Sequence, residues 1–219
     1  MPKLLSLLLS VLTLPSPLLQ AGQPDLARPP VPKDKAEKKI LAVLDDMHRT
    51  QRAGHWNVSL ADGRLLRLLT EATGAKHVVE IGTSNGYSGL WFLLALRQTG
   101  GTLTTHEIDK GRAALARKNF DRAGVGHLAT IVLGDAHQTT RRLKAPIDIL
   151  FLDADPGGYG DYMARLLPLV RPGGLILTHN TRWPRPDPDH IKAITTDPRL
   201  ETVFLHMHDM GLGVTLKKR

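Results

Sequence analysis

The sequence predicts an α/β fold: a doubly wound, mostly parallel sheet that finishes in an antiparallel C-terminal hairpin. Three observations predict it. Short runs rich in β-branched residues or Leu (HVVEI, TLTTH, TIVL, IDILFL and LILT) alternate with helix-period stretches at 87–98, 110–123, 136–143 and 159–169. That rhythm belongs to a parallel sheet covered on both faces. A glycine-rich turn, GTSNGYSG, directly follows the first run, where an open α/β sheet places its ligand. The tail then drops the alternation, since ETVFLHMH and GVTLKK are joined through residues 209–211, DMG, a hairpin signal.

The elements follow in order. Residues 1–23 place Lys3 before an apolar stretch at 4–14, then a Pro-Ser-Pro break and small residues. This is the layout of a secretory signal peptide cleaved near Ala21, with an uncleaved anchor or a misassigned start codon as the competing readings. The stretch is shorter than the roughly 20 residues of a membrane span, so no stable span is expected. Residues 24–33, PDLARPPVPK, read as a Pro-rich tether, and the folded domain as 34–219. Ile40, Val43, Leu44 and Met47 recur at helical spacing and predict a helix over 34–52. A second helix is expected over 61–73, with Leu65, Leu66, Leu68 and Leu69 inward and Gly74 as its stop. Asp109 suits the N-cap of the 110–123 helix and Gly124 its C-terminal turn.

Composition excludes more than it assigns. There are 219 residues, enough for one sizeable domain, and no cysteine, which removes disulfides, thiolate metal sites and cysteine nucleophiles. The net charge of +8 raises the question of an anionic partner. The basic residues are spread out, however, and aromatics make up only 5%, so nucleic acid is not expected.

The glycine turn narrows the ligand. Gly82, Gly86 and Gly89 are spaced G-x-x-x-G-x-x-G, which is neither the dinucleotide fingerprint G-x-G-x-x-G nor a P-loop. It resembles the E-x-G-x-x-x-G loop of class I S-adenosylmethionine-dependent methyltransferases, read here as Glu80, Gly82 and Gly86. Without Cβ atoms at the two glycines, backbone amides can approach the cofactor's amino-acid end, and the following helix N-terminus favours its carboxylate. Glu107 ends the second strand, 25 positions (107 − 82) beyond Gly82, where a carboxylate can accept from both ribose hydroxyls. Asp135 and the Ala136 amide close the third strand and can meet an adenine edge. Ser84, Ser88 and Ile108 complete the expected cofactor contacts.

From about Trp56 onward the chain resembles the metal-dependent O-methyltransferases, the family of catechol and caffeoyl-CoA O-methyltransferases. The segments that carry the likeness are WNVSLADGRLL, VVEIGTSNGYS, TTHEID, FLDAD, RPGGLILTHN and GLGVTLKK. The resemblance implies a Rossmann-like methyltransferase sheet, Asn57 and Val58 beside the cofactor's methyl end, and Asp153 near both cofactor and metal. It also implies an Asp-Asn metal pair after the fifth strand and a lysine base three places after Asp153. The sequence departs twice, with His179 before Asn180 in place of the Asp, and Pro156 in place of the lysine. Three readings stay open. Asp153, His179 and Asn180 hold a divalent metal, with Mg²⁺ disfavoured against Mn²⁺, Fe²⁺ or Zn²⁺; or His179 is the general base without metal; or it only hydrogen-bonds its neighbours. Asp155 is a weaker candidate base, and the His206/His208 pair a weaker metal pair. Trp183 in the Pro-rich loop 180–190, with His55 and Trp56 opposite, is expected around the acceptor.

The function expected is O-methylation of a small-molecule hydroxyl, phenol- or catechol-like, by a protein that pairs into homodimers as this family often does. The alternatives are a cofactor-binding protein that has lost catalysis, and RNA or DNA methylation. The leader points to a periplasmic, secreted or membrane-tethered protein, whereas supply of S-adenosylmethionine argues for the cytoplasm.

Overall fold

The computed structural model describes residues 28–144, 146–182, 187–206 and 210–219. The chain divides into units Met1–Pro30 and Val31–Arg219. The leader and the first part of the tether, 24–27, lie outside the described residues, and every described helix and strand belongs to the second unit. Among the described residues no helix is long and apolar enough to cross a membrane.

Helices α1 (Lys35–Thr50) and α2 (Leu60–Ala72) precede β1 (His77–Ile81), α3 (Tyr87–Thr99), β2 (Thr102–Glu107), α4 (Lys110–Ala123) and β3 (Ala129–Leu133). Then come α5 (Ala136–Thr139), β4 (Ile147–Leu152), α6 (Tyr159–Leu166), β5 (Val170–His179), α7 (Pro188–Thr196), β6 (Leu200–Leu205) and β7 (Leu212–Lys217). The seven strands form one sheet in the order β3-β2-β1-β4-β5-β7-β6. Pairings among β1 to β5 are parallel, and β7 runs antiparallel to both β5 and β6. The predicted fold class is the one observed. The strand order reverses between β1 and β4, which opens the crevice in which such sheets bind ligands.

Alternation along the central strands feeds two cores. Val78, Ile149 and Phe151 join α1 to α4 on one face, while Val79, Ile81, Leu150 and Leu152 meet α6 and α7 on the other. Asp34 caps α1 by accepting from the Glu37 amide at 2.7 Å, and all four predicted core positions of that helix are buried. Of the four leucines of α2 predicted to face inward only Leu66 is fully buried, and Leu68 is 62% exposed. Two residues of helix turn through about 200°, so a helix that presses Leu66 inward must turn Leu68 to water. Gly63 allows that approach, because a Cβ there would lie 2.3 Å from Trp91 Nε1. Asp109 and Gly124 bound α4 as predicted.

Two helices differ from expectation. The 136–143 helix is the short α5 followed by a 3-10 turn, Thr140–Arg142. Helix α7 begins inside the segment expected to be a loop: Asp187 accepts from the Asp189 amide and Pro188 occupies the first turn, the position a helix tolerates best.

Candidate active site

The carboxyl ends of β1, β2, β4 and β5 surround a cavity of about 650 Å³. One end is built largely from backbone. The Gly82 and Thr83 amides both donate to the His106 carbonyl, at 3.0 and 3.1 Å, which ties the glycine turn to β2. Ser84 sits at φ +48°, an uncommon region for a residue with a side chain. That conformation aims its amide at Glu107 Oε2, 2.7 Å away. The Asp109 amide donates to Oε1 at 3.0 Å. Glu107 is thus a buried carboxylate with one backbone donor on each oxygen, and each oxygen keeps acceptor capacity toward the cavity. Asp109 takes the capping role, accepting from the Arg112 amide.

Of the predicted cofactor contacts, Val58, Gly82, Ser84, Ser88, Glu107, Ile108, Asp135, Ala136 and Asp153 line the cavity. Glu80 and Gly86 are not among its lining residues. Glu80 is fully buried behind the turn and clasped by Ser88 Oγ at 2.5 Å and Thr105 Oγ1 at 2.6 Å. Burial pushes its pKa up to about 8; the two hydroxyls oppose that, and the charges of Asp153 and Glu107 add to it. It braces α3 against β2. The glycines also serve packing: a Cβ on Gly82, at φ +104°, would lie 2.2 Å from the Asp153 carbonyl oxygen, and one on Gly86 would strike the Phe120 ring.

The other end is built from side chains. Asp153 follows β4 and lines the cavity with Asn180, which follows β5. Asn180, at φ +61°, donates from Nδ2 to Asp153 Oδ1 at 3.1 Å. His179 Nδ1 meets the same oxygen at 3.0 Å. Its Nε2 lies 3.5 Å from Asp62 Oδ2, a residue that sequence reasoning missed. Both the imidazole and Asp62 are 1% exposed. Burial alone would push the His179 pKa down, but Asp153 and then Asp62 outweigh it and raise it to about 10. Asp62 receives the Ser59 hydroxyl at 2.8 Å and returns its amide to that oxygen at 3.0 Å. In sequence this pair reads only as a helix cap, which hid the second use of the carboxylate.

Two expectations for His179 fail on this geometry. A metal needs lone pairs turned to one point, yet His179 and Asn180 both turn N–H donors on Asp153 Oδ1, and His179 is not among the residues lining the cavity. Among the described residues no group of three or more His, Asp or Glu is arranged to hold a metal ion. The residues do not fit a divalent cation. His179 does not fit a general base either, since each ring nitrogen faces a carboxylate, Asp153 or Asp62, instead of the cavity.

Asp155 lies at the rim, where its Oδ1 accepts from the Tyr162 hydroxyl at 2.8 Å and its Oδ2 lies 3.4 Å from His137 Nε2. His137 stacks on Tyr162 with centroids 4.4 Å apart, and its amide is accepted by Asp135 Oδ1 at 2.8 Å. Pro156 begins a 3-10 turn, Pro156–Gly158. Trp56, 64% exposed, stands on the cavity wall, and His55 Nδ1 is 3.4 Å from Ser84 Oγ. Trp183 and His208 lie outside the described residues.

Residues 33–219 match the family described as O-methyltransferase. The Mycobacterium tuberculosis protein named "Probable O-methyltransferase Rv1220c" is 41% identical over 133 residues, 60% of this chain and 59% of that protein. The chain therefore spans less than two thirds of the length of that relative. Among solved structures, the O-methyltransferase from Bacillus cereus in complex with SAH is 27% identical, with a TM-score of 0.70 over 86% of this chain and 93% of that one. The O-methyltransferase TomG from Streptomyces achromogenes, involved in tomaymycin synthesis and solved with SAM, is 25% identical, with a TM-score of 0.70 over 86% and 92%.

Proposed function

This chain belongs to the O-methyltransferase family, and we propose that it transfers a methyl group from S-adenosylmethionine to the hydroxyl oxygen of a small phenol- or catechol-like molecule. The observation that carries the reading is the lock between the Ser84 amide and Glu107 at the strand-order switch. It holds a carboxylate ready for a ribose diol before any ligand arrives. Adenine then lies against Ile108 with Asp135 and the Ala136 amide at its edge. The amino-acid end meets the glycine turn and Ser88, and the sulfonium methyl points between Val58 and Asp153.

The reaction asks for alignment and dryness more than for strong acids or bases. A lone pair of the acceptor oxygen forms the new C–O bond as the C–S bond breaks. The electron pair stays on sulfur, giving the neutral thioether, and the hydroxyl proton leaves to solvent. Asp153 Oδ1 is already occupied by two donors. We assign its Oδ2 to accept a hydrogen bond from the hydroxyl and so fix the angle of attack. No step is routed through a metal.

Calorimetric titration with S-adenosylmethionine tests the binding half, and transfer of a labelled methyl group to a panel of phenols and catechols tests the chemistry. Absence of cofactor binding would sink the reading. Binding without turnover on any acceptor would reduce it to a cofactor-binding protein, the alternative that Pro156 and His179 raise.

A further inference from the structure

We propose that Asp62, His179 and Asp153 form a buried ion triad in which the His179 imidazolium is the site's resident cation, so that methyl transfer needs no divalent metal and Asp62 is a positioning residue for Asp153. The inference rests on the function proposed for this site.

The geometry carries it. The ring has a carboxylate at each end, Asp153 Oδ1 at 3.0 Å from Nδ1 and Asp62 Oδ2 at 3.5 Å from Nε2. A neutral imidazole has one N–H and one lone pair. It would have to turn that lone pair on one of two carboxylates, the buried Asp62 or the half-buried Asp153. Only the doubly protonated ring turns an N–H toward both, as a hydrogen bond to Asp153 and as a longer ion-pair contact, without a hydrogen bond, to Asp62. Two carboxyl groups set 3.0 and 3.5 Å from one imidazole call for a compensating charge between them. His179 supplies one from inside the protein.

The triad also explains how Asp153 keeps its orientation. Asp62 is anchored on the first turn of α2 by Ser59, His179 ends β5 and Asp153 follows β4. The imidazolium therefore ties a helix and two strand ends to one carboxylate oxygen and leaves Oδ2 for the acceptor.

The test uses the full chain stripped of metal. Nitrogen-15 spectra of histidine-labelled protein are expected to show one ring protonated at both nitrogens at pH 8, with that signal absent in His179→Gln. Mn²⁺ added to wild type is expected to give no bound paramagnetic signal, whereas His179→Asp, which replaces the internal cation by a carboxylate, is expected to acquire Mn²⁺ binding. Asp62→Asn, nearly isosteric, is expected to remove the doubly protonated signature and lower kcat by on the order of tenfold, with KM for the cofactor unchanged. Stoichiometric Mn²⁺ binding to wild type that vanishes in His179→Gln would overturn the proposal, as would a wild-type His179 ring with a bare nitrogen at pH 8. The spectra and the Mn²⁺ titration need neither cofactor nor acceptor, so they stand or fall separately from the calorimetric test of S-adenosylmethionine binding.

Discussion

The two ends of the cavity achieve rigidity by different means. Around Glu107 the holding groups are backbone amides, those of Ser84 and Asp109 on the carboxylate and those of Gly82 and Thr83 on β2. Around Asp153 they are side chains, His179 and Asn180 directly and Asp62 behind them. Backbone donors depend on the path of the chain and survive most side-chain changes. A side-chain network depends on the identity of each member, and losing one takes a partner from each of the others. The first end suits a fixed cofactor, and the second is where chemistry can diverge.

Substitutions can break or sharpen that contrast. The largest effect is expected from His179→Ala, which leaves the buried Asp62 and the half-buried Asp153 without the cation between them. Urea unfolding should show a loss of about 3–5 kcal/mol, and a loss within the scatter of surface variants would refute the side-chain account. Glu107→Ala should keep the fold but weaken S-adenosylmethionine binding by about 1.5–3 kcal/mol, the range for hydrogen bonds to a charged group. Unchanged calorimetric affinity would remove the backbone-built end from the cofactor site. Gly82→Ala joins the two ends, since its Cβ meets the Asp153 carbonyl oxygen from a left-handed backbone. A stability loss of roughly 1–3 kcal/mol is expected, together with slower turnover.

Glu80 adds a pH dependence. Its pKa in the folded protein, about 8, lies above the ordinary value of 4.5, so between those values the native state holds a proton that the unfolded chain releases. The stabilisation is complete below about 4.5 and is lost as pH rises through 8. Glu80→Gln keeps the shape and removes the titration, so its Tm advantage over wild type should widen from pH 5 to pH 8.5; parallel curves would rule this out. The smallest effect belongs to Ile108→Ala. Ile108 is 72% exposed on the cavity rim and should cost cofactor affinity only a few-fold.

The same contrast explains what could be read from the sequence. The sheet, its glycine turn and the place of Glu107 were legible because they depend on short-range patterns: β-branched runs, glycine spacing, and an acid at a strand's end. Asp109 and Gly124 were legible for the same reason. Helix α7 was hidden by prolines that mark a loop and a first helical turn equally well. Leu68 reads as core in a run of leucines, until the tight approach of Gly63 to Trp91 fixes which face turns inward. His179 stood out as a departure, but its role depended on Asp62, which precedes it by 117 positions (179 − 62) and carries a capping signature. Nothing local links the two, so only the fold brings them together.

Helix α3 carries a last consequence. Ten successive residues, 87–96, are buried, and the glycine turn leads straight into them. A keel packed on every side cannot swing, so the crevice does not open by hinging there. Trp56 and Ile108, both bulky and both turned to water on the cavity wall, are by contrast held by no such packing.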